Sequence, residues 1–219
     1  MTVQSNTITP LMALQAYPGS YECHITVCSD SEQTLKRFEA FCLQFDLKPL
    51  IIMLDSGHTP RHPMLSKVYH DKPEIAWKKI QKVIADLNSE GFQVDRIKLE
   101  AAFLNLNIPE LDSEMKDLTE MHYFEFHVKL ELPIDFDVQS LRKQVKQFQG
   151  HLSANSLWKN DKVQYHFITQ RIKNLGKVNA EKQLNLLLTF LSQKELKLVK
   201  TVREFNIYDS NLSLDSGWF

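Results

Sequence analysis

Two stretches of the sequence, YECHITV at 21–27 and YFEFHVKL at 123–130, decide the fold because they carry the same pattern of side chains. In both stretches apolar residues alternate with polar ones, which is typical of a β-strand with one face against a core. Each contains a histidine two positions after a glutamate, and aligning His24 with His127 gives an offset of 103 residues. The second half of the chain therefore repeats a strand of the first half.

The segments that follow each of these strands predict the same order of elements, namely strand, helix, strand, strand, helix, strand. In the first half the predicted elements are YECHITV, SDSEQTLKRFEAFCLQF, KPLIIML, MLSKVYH, KPEIAWKKIQKVIADLNSEGF and QVDRIKLEA. In the second half they are MHYFEFHVKLEL, DFDVQSLRKQVKQF, HLSANSLW, KVQYHFITQRI, NAEKQLNLLLTFLSQKEL and KTVREFNIYD. This order is that of the ferredoxin-like βαββαβ unit. The sequence predicts an α+β protein formed by tandem duplication of that unit, with helices on one face of each antiparallel sheet.

The positions of these elements set the expected boundaries. They are a leader at 1–20, a first repeat at 21–102, a linker at 103–120, a second repeat at 121–210 and a tail at 211–219. The leader is expected to be only partly ordered. Trp218 and Phe219, at the end of the tail, are expected to fold back over apolar surface rather than to bind a partner.

Composition limits the classes of function. The 219 residues are 43% hydrophobic, and 26 basic residues against 27 acidic ones give a net charge of −1, which favours a soluble globular protein. This balance supplies no overall positive field, so nucleic-acid binding is not expected. Spanning a bilayer takes about 20 consecutive apolar residues, and no stretch approaches that length. We therefore expect no membrane association and a cytoplasmic location.

The three cysteines, Cys23, Cys28 and Cys42, lack CxxC spacing and alternate into apolar patterns. Small thiols pack well in such positions, so all three are predicted to be buried and free of disulfides. Ser29 or Asp30 is predicted to cap the first helix of the repeat.

In a sheet with helices on one side, alternate residues of every strand fall on the other, free face. In the first half these residues are Glu22, His24, Thr26, Arg96, Lys98 and Glu100. In the second half they are Glu125, His127, Lys129, Glu131, Glu204, Asn206 and Tyr208. If the two free faces pack toward each other, they would line a cleft or tunnel dense in titratable groups. The alternative is that oppositely charged neighbours merely stabilise a solvated sheet, which needs no ligand.

The tetrad HITV at 24–27 resembles one half of the signature of the two-histidine phosphoesterases, in which paired H-x-T/S tetrads project into a central cleft. The resemblance implies His24 as a general acid or base and Thr26 as a donor to phosphate. The second tetrad, HVKL at 127–130, departs from the signature, because Lys129 replaces the hydroxyl residue. A weaker similarity to the triphosphate tunnel enzymes rests on Glu125, Lys129 and Glu131 in a different spacing.

Two further clusters are weighed as sites. His58 and His62 flank Arg61 in the turn-rich stretch SGHTPRHP, where a metal would need a third ligand such as Asp55 or His70. Mobile loop histidines are the favoured interpretation. The other cluster lies in HLSANS, whose polar side chains could donate hydrogen bonds at a cleft rim or belong to an edge strand. These side chains are His151, Ser153, Asn155 and Ser156.

The sequence favours a protein that binds a small anionic molecule, preferably a phosphorylated one, with acid–base chemistry on a phosphoester as the enzymatic hypothesis. Charge on the ligand would be neutralised by Arg96, Lys98, Lys129 and Arg171. The groups that would orient it or transfer protons are Glu22, His24, Glu125 and His127. The remaining ligand-binding candidates are Thr26, Glu100, Glu204 and Tyr208.

Several alternatives stay open. The protein could be a non-catalytic interaction module, whose charged faces are buried between the repeats or in a homodimer. Whether it is an enzyme is undecided, and no cofactor is identified, although the acidic residues could recruit a divalent metal.

Overall fold

The computed structural model describes residues 8–29, 31–54, 57–59, 61–159 and 161–218, of which 155–159 are described by their backbone only. Within these residues the strands form one closed antiparallel barrel with the order β1-β3-β2-β6-β7-β5-β8-β4. The strands are β1 Tyr21–Val27, β2 Lys48–Leu54, β3 Arg61–Tyr69, β4 Val94–Ala102, β5 Tyr123–Pro133, β6 Gly150–Lys159, β7 Val163–Ile172 and β8 Lys197–Asp209. The predicted antiparallel α+β fold is confirmed.

The two halves of the chain have the same strand order. It is β4-β1-β3-β2 in the first half and β8-β5-β7-β6 in the second. The halves do not form separate sheets, because their edge strands pair with each other, β2 with β6 and β4 with β8. An unpaired edge strand leaves its backbone N–H and C=O groups without partners, and closing the barrel satisfies them.

Five α-helices are described, and they pack against the outside of the barrel. They are α1 Pro10–Ala16, α2 Glu32–Gln44, α3 Pro73–Ser89, α4 Val138–Val145 and α5 Lys177–Gln193. The apolar residues of β1, such as Cys23 and Ile25, share one core cluster with Phe38 of α2 and Ile80 of α3. The hydrophobic core therefore lies between helices and barrel, and the other face of every strand is turned into the lumen. None of the described helices is long and apolar enough to cross a bilayer.

The described part of the leader belongs to the fold. The side chain of Thr9 accepts a hydrogen bond from the backbone N–H of Met12 at 3.3 Å, which starts α1. Leu14 is fully buried in the core, and its carbonyl accepts a hydrogen bond from the Tyr21 hydroxyl at 2.9 Å. Helix α1 is not predicted from the sequence, because its two turns are too short to show a clear helical period.

Two local predictions are wrong in detail. Helix α2 is capped by Ser31, whose side chain accepts a hydrogen bond from Thr34, rather than by Ser29; Asp30 lies outside the described residues. Cys28 is exposed, because it follows the end of β1 instead of continuing its alternation. Cys23 and Cys42 are buried as expected.

Replacing Leu14 by Ala tests whether α1 is part of the cooperative fold. Because Leu14 is fully buried, we expect the free energy of unfolding in urea to fall by about 2–5 kcal/mol. Met12→Ala in the same helix is the matched control, since Met12 is 51% exposed and should change stability by no more than about 0.5 kcal/mol. Equal, small effects of both changes would show that α1 does not contribute.

Candidate functional site: the charged lumen of the barrel

The two predicted free faces meet inside the barrel around a cavity of about 210 Å³. Each face supplies residues from its first strand, β1 or β5, and from the strands beside it. The predicted residues that line the cavity are Glu22, His24, Thr26, Arg96, Lys98, Glu125, His127, Lys129, Arg171 and Glu204. The closed barrel thus turns two strand faces from different halves into one site.

Four predicted residues do not line the cavity, and one of them, Glu131, pairs with Lys197 instead. Glu100 is fully buried beside the cavity wall, and Asn206 donates a hydrogen bond to the Met121 carbonyl at 2.6 Å. Tyr208 packs against the outer core and not on the free face, where the sequence predicts it. The cause is a register shift, because Glu100 pairs with Asn206 whereas Leu99 pairs with Tyr208. A bulge of this kind reverses the alternation of a strand.

An ion-pair chain begins at Lys98, which joins the two halves. Its ammonium lies 2.8 Å from Glu100 in the same strand and 2.8 Å from Glu125 in β5. Burial alone would raise the pKa of Glu100, but the charge of Lys98 together with the hydrogen bond and charge of His24 outweighs it and lowers this pKa to about 2. Burial would also raise the pKa of Glu125, but the charges of Lys98 and Arg171 and the hydrogen bond with His127 hold it well below its ordinary value. Both carboxylates are therefore ionised at neutral pH.

The chain continues through two arginines. Arg171 of β7 lies 3.0 Å from Glu125 and 2.7 Å from Asp215, which follows β8. Asp215 also accepts hydrogen bonds from two nitrogens of Arg96, at 2.9 and 3.0 Å. Arg96 is held from the other side by Asp209, whose Oδ1 accepts from its Nε at 2.9 Å. The sequence reading missed Asp209 and Asp215, since the first follows the bulge and the second lies beyond the last strand.

A second feature of the lumen is a pair of carboxyl groups, Glu22 and Glu204, that hydrogen-bond to each other. Burial and the charges of Glu100 and Glu22 raise the pKa of Glu204 well above its usual range. Burial would raise the pKa of Glu22 too, but His24 and the Ser66 hydroxyl lower it. The pair accordingly keeps one proton to a higher pH than an isolated carboxyl group does, since two adjacent carboxyl groups do not both ionise readily.

His24 of β1 and His127 of β5, which occupy matching positions in the two halves, have different partners. His24 Nε2 lies 2.8 Å from Glu100. Burial would lower the pKa of His24, but the hydrogen bond and charge of Glu100 raise it. His127 Nδ1 lies 2.9 Å from the Thr169 hydroxyl, and its Nε2 lies 3.3 Å from Glu125. Matching positions in the two halves thus hold an imidazole beside a carboxylate in different settings.

The loop-histidine interpretation is wrong for His62. Strand β3 begins at Arg61, so His62 lies in the barrel, is 2% exposed and lines the cavity. Burial lowers its pKa. His70 is not brought to it, because the His70 ring lies 2.8 Å from the Ser20 hydroxyl just beyond the far end of β3. Asp55 lies outside the described residues.

The possible rim donors lie on an interior strand. Strand β6 pairs with both β2 and β7, so it is not an edge strand. Ser153 is buried and lines the cavity, and His151 contacts the Trp218 ring with a centroid distance of 5.8 Å. The side chains of Asn155 and Ser156 lie outside the described residues. Trp218 folds back as expected and is 7% exposed, whereas Phe219 is not described.

Several buried polar atoms of the cavity wall have no hydrogen-bond partner among the described residues. They are Thr26 Oγ1, His24 Nδ1 and His62 Nε2. A buried polar group without a partner costs about 1–3 kcal/mol. Such atoms in a cavity wall mark the places where a ligand or ordered water would be bound.

A group of possible metal ligands, Glu100, Glu125 and His127, also borders the lumen, and their ligand atoms lie within 4.8 Å of one another. The Lys98 ammonium already lies 2.8 Å from both carboxylates. It holds the position of a cation between them, and a metal ion would first have to displace it.

One end of the lumen carries three lysines. Lys48 and Lys200 lie near the starts of β2 and β8, which run in one direction, and Lys129 lies in the later part of β5, which runs in the opposite direction. This places all three at the same end, and all three line the cavity. Burial and the charges of Lys48 and Lys200 lower the pKa of Lys129. We call Lys48, Lys129 and Lys200 the lysine rim.

The other end of the lumen is covered by residues 211–218, which we call the closing segment. It contains a short 3-10 helix at Leu212–Asp215. Leu214, Asp215 and Trp218 are all buried, and the last two line the cavity. The lumen is therefore bounded by the lysine rim at one end and by the closing segment at the other.

Comparison with known proteins adds little. No family model and no curated protein matches the sequence. Among solved structures, the acetolactate synthase small subunit of Thermotoga maritima is 14% identical with a TM-score of 0.32, over 86% of this chain and 98% of that one. A "putative monooxygenase" of Fusobacterium nucleatum is 10% identical with a TM-score of 0.30, over 93% and 96%. Likenesses at these scores support no argument about this chain.

Replacing Glu204 by Gln tests the shared proton. A group that binds its proton more tightly when folded stabilises the fold below its unfolded-state pKa, and that contribution is lost as pH rises toward its folded-state pKa. Because the pKa of Glu204 is raised above 4.5, the wild type should lose stability relative to Glu204→Gln from about pH 5 upward, by up to about 1.4 kcal/mol per pH unit. Urea unfolding from about pH 5 to pH 8 measures this.

The control for this experiment is Glu131→Gln. Hydrogen bonds from Lys197 and Tyr165 lower the pKa of Glu131 below 4.5, so its contribution changes at lower pH and the profile above about pH 5 should match the wild type. Parallel profiles for the wild type and Glu204→Gln would contradict the shared proton.

Proposed function

We propose that the lumen binds a small anionic molecule, with a phosphorylated metabolite as the favoured class. The observation that supports this most directly is the cavity of about 210 Å³ whose wall includes buried polar atoms that lack partners among the described residues. Pockets for drug-sized ligands measure about 300–1,000 Å³. The lumen is smaller, which favours a compact metabolite.

The lining supports a particular orientation of the ligand. One part of the wall is apolar and is formed by Leu50, Ile52, Met64, Phe167 and Val202. The lysine rim lies at one end of this wall. Clustered positive charge at the mouth of a cavity attracts anions and raises their local concentration. In the proposed orientation the anionic group lies at the rim and the body of the ligand extends toward the histidines.

The enzymatic form of the proposal is acid–base chemistry on a phosphoester. His24, whose pKa is raised, would donate a proton to the leaving oxygen. His127 would accept a proton from the water that attacks phosphorus, and Glu125 orients its ring from 3.3 Å. Glu22, which shares a proton with Glu204, is a second acid–base group at the same wall. This assignment agrees with the resemblance of the tetrad HITV to the two-histidine phosphoesterases.

The buried ion pairs favour a second candidate, a non-catalytic interaction module. Arg96, Lys98 and Arg171 each lie within 3 Å of a carboxylate, so the charges of this region already compensate one another. A ligand in the lumen would then be neutralised by the lysine rim and not by these three residues. In this second candidate the network specifies how the halves, or two copies of the chain, fit together.

We also propose that the chain arose by duplication of one ferredoxin-like unit, with repeats at 21–102 and 121–210 joined by the linker at 103–120. The identical strand order of the two halves supports this, as does the position of β1 and β5 between corresponding neighbours. The three free cysteines suit a reducing compartment, and we accordingly place the protein in the cytoplasm.

Replacing Lys129 by Met tests the binding proposal. A thermal-shift screen of phosphorylated metabolites should identify compounds that raise the melting temperature of the wild type. Loss of one charge-assisted contact costs about 1.5–3 kcal/mol, so Lys129→Met should weaken their binding at least about tenfold while the melting temperature without ligand stays nearly the same. Lys197→Met is the matched control, because Lys197 is paired with Glu131 on the surface and does not line the cavity.

His127→Gln separates binding from catalysis. It should keep most of the ligand-induced rise in melting temperature and lose about 10²–10⁴-fold in phosphoester hydrolysis. Binding without any turnover in the wild type would favour the non-catalytic candidate. No stabilising compound in the screen, or equal responses of Lys129→Met and the wild type, would contradict the anion-binding proposal.

A further inference from the structure

The closing segment presents a carboxylate to two arginines in the manner of a bound anion. Asp215 accepts hydrogen bonds from Arg96 at 2.9 and 3.0 Å and from Arg171 at 2.7 Å. A planar carboxylate held by forked guanidinium donors is the geometry in which arginines bind carboxylate and phosphate ligands. All three residues line the lumen cavity.

The two arginines are held in place without Asp215. Arg96 is fixed by Asp209 at the end of β8. Arg171 is fixed by Glu125, 3.0 Å away, and lies over the Tyr123 ring with its guanidinium carbon 4.3 Å from the centroid. Within the described part of the chain, removal of Asp215 would therefore leave Asp209 beside Arg96 and Glu125 beside Arg171, so that both guanidinium groups stay in position. Both arginines belong to strands of the barrel, whereas Asp215 comes from the 3-10 helix of the closing segment.

Unpartnered polar atoms lie beside this pair of arginines. Thr26 is the cross-strand neighbour of Arg96, is 3% exposed, and its hydroxyl has no partner among the described residues. The His62 ring is also buried, with Nδ1 3.9 Å from Asp215 and with Nε2 unpartnered in the same described part of the chain. A carboxylate leaves these atoms unused. A larger oxyanion has additional oxygens, one of which could accept from the Thr26 hydroxyl, and a protonated oxygen of it could donate to His62 Nε2.

Hydrogen bonds attach the closing segment to other parts of the chain. Its backbone bonds include His58 N–H to the Ser216 carbonyl at 3.0 Å, and the Asn211 side chain donates to the Asp95 carbonyl at 3.3 Å. Trp218 closes the segment over the lumen against the His151 ring. Among the described residues, the segment is thus held by the ion pairs of Asp215, by these hydrogen bonds and by the buried side chains of Leu214 and Trp218.

We propose that Arg96 and Arg171 form an anion-binding site at the end of the lumen opposite the lysine rim, and that Asp215 occupies it so that the closing segment competes with an external oxyanion. The site is independent of the function proposed above, since it requires neither the lysine rim nor chemistry at the histidines. An oxyanion that displaces Asp215 releases the closing segment and opens this end of the lumen.

Replacing Asp215 by Ala, with formate and inorganic phosphate as probes, tests whether Asp215 occupies an anion-binding site. Asp215→Ala should melt at a lower temperature than the wild type in chloride buffer of matched ionic strength. Formate or phosphate should then raise its melting temperature saturably, with an apparent dissociation constant at least tenfold lower than for the wild type. The double variant Asp215→Ala/Arg171→Met should lose this response.

Two further variants keep the test decisive. Glu131→Ala removes a carboxylate from the surface pair with Lys197, so neither probe should act on it beyond its effect on the wild type. Trp218→Ala retains every charged group and loosens the closing segment, so it should bind phosphate more tightly than the wild type even if Asp215→Ala does not fold. Equal probe responses of the wild type and Asp215→Ala, or of the wild type and Trp218→Ala, would overturn the proposal.

Discussion

The ammonium group of Lys98 between Glu100 and Glu125 is the interaction on which the rest of the structure depends. A buried lysine is stable as a cation only when carboxylates compensate the loss of water. One of these carboxylates comes from its own strand and the other from the second half of the chain. The two halves must therefore face each other across the lumen, and the edge strands β2 and β4 can pair with β6 and β8 only in that arrangement.

This constraint produces a barrel whose hydrophobic core lies outside it. The apolar faces of the strands meet the helices, and the polar faces enclose a small cavity. In such a lumen charges act on one another with little screening, which explains the opposite pKa shifts of neighbouring glutamates. Lys98 and His24 lower the pKa of Glu100, whereas burial and the charges of Glu100 and Glu22 raise the pKa of Glu204. The same surroundings that make the network stable can supply acid–base groups to a ligand.

Period-two alternation is enough to place Glu22 and His24 on one free face and Glu125 and His127 on the other, because the face of a strand follows directly from its sequence. Alternation says nothing about which edges pair, so the closure of the barrel was not predictable. It also fails at a bulge, which turned Tyr208 outward and Asp209 inward. His62 was read as a loop residue because Pro63 suggested a turn, although the strand includes both. No sequence pattern indicates a role for Asp215, because its partners Arg96 and Arg171 lie far away in the chain.

A double-mutant cycle between Lys98→Met and Glu125→Gln tests this account most directly. The two residues belong to different halves, and only a closed lumen brings their charges to 2.8 Å. Because the two charges are in contact, the effects on the free energy of unfolding should not be additive, with a coupling energy on the order of 1–3 kcal/mol. Additivity within about 0.5 kcal/mol would contradict it, because separate sheets with solvated faces leave the two groups independent.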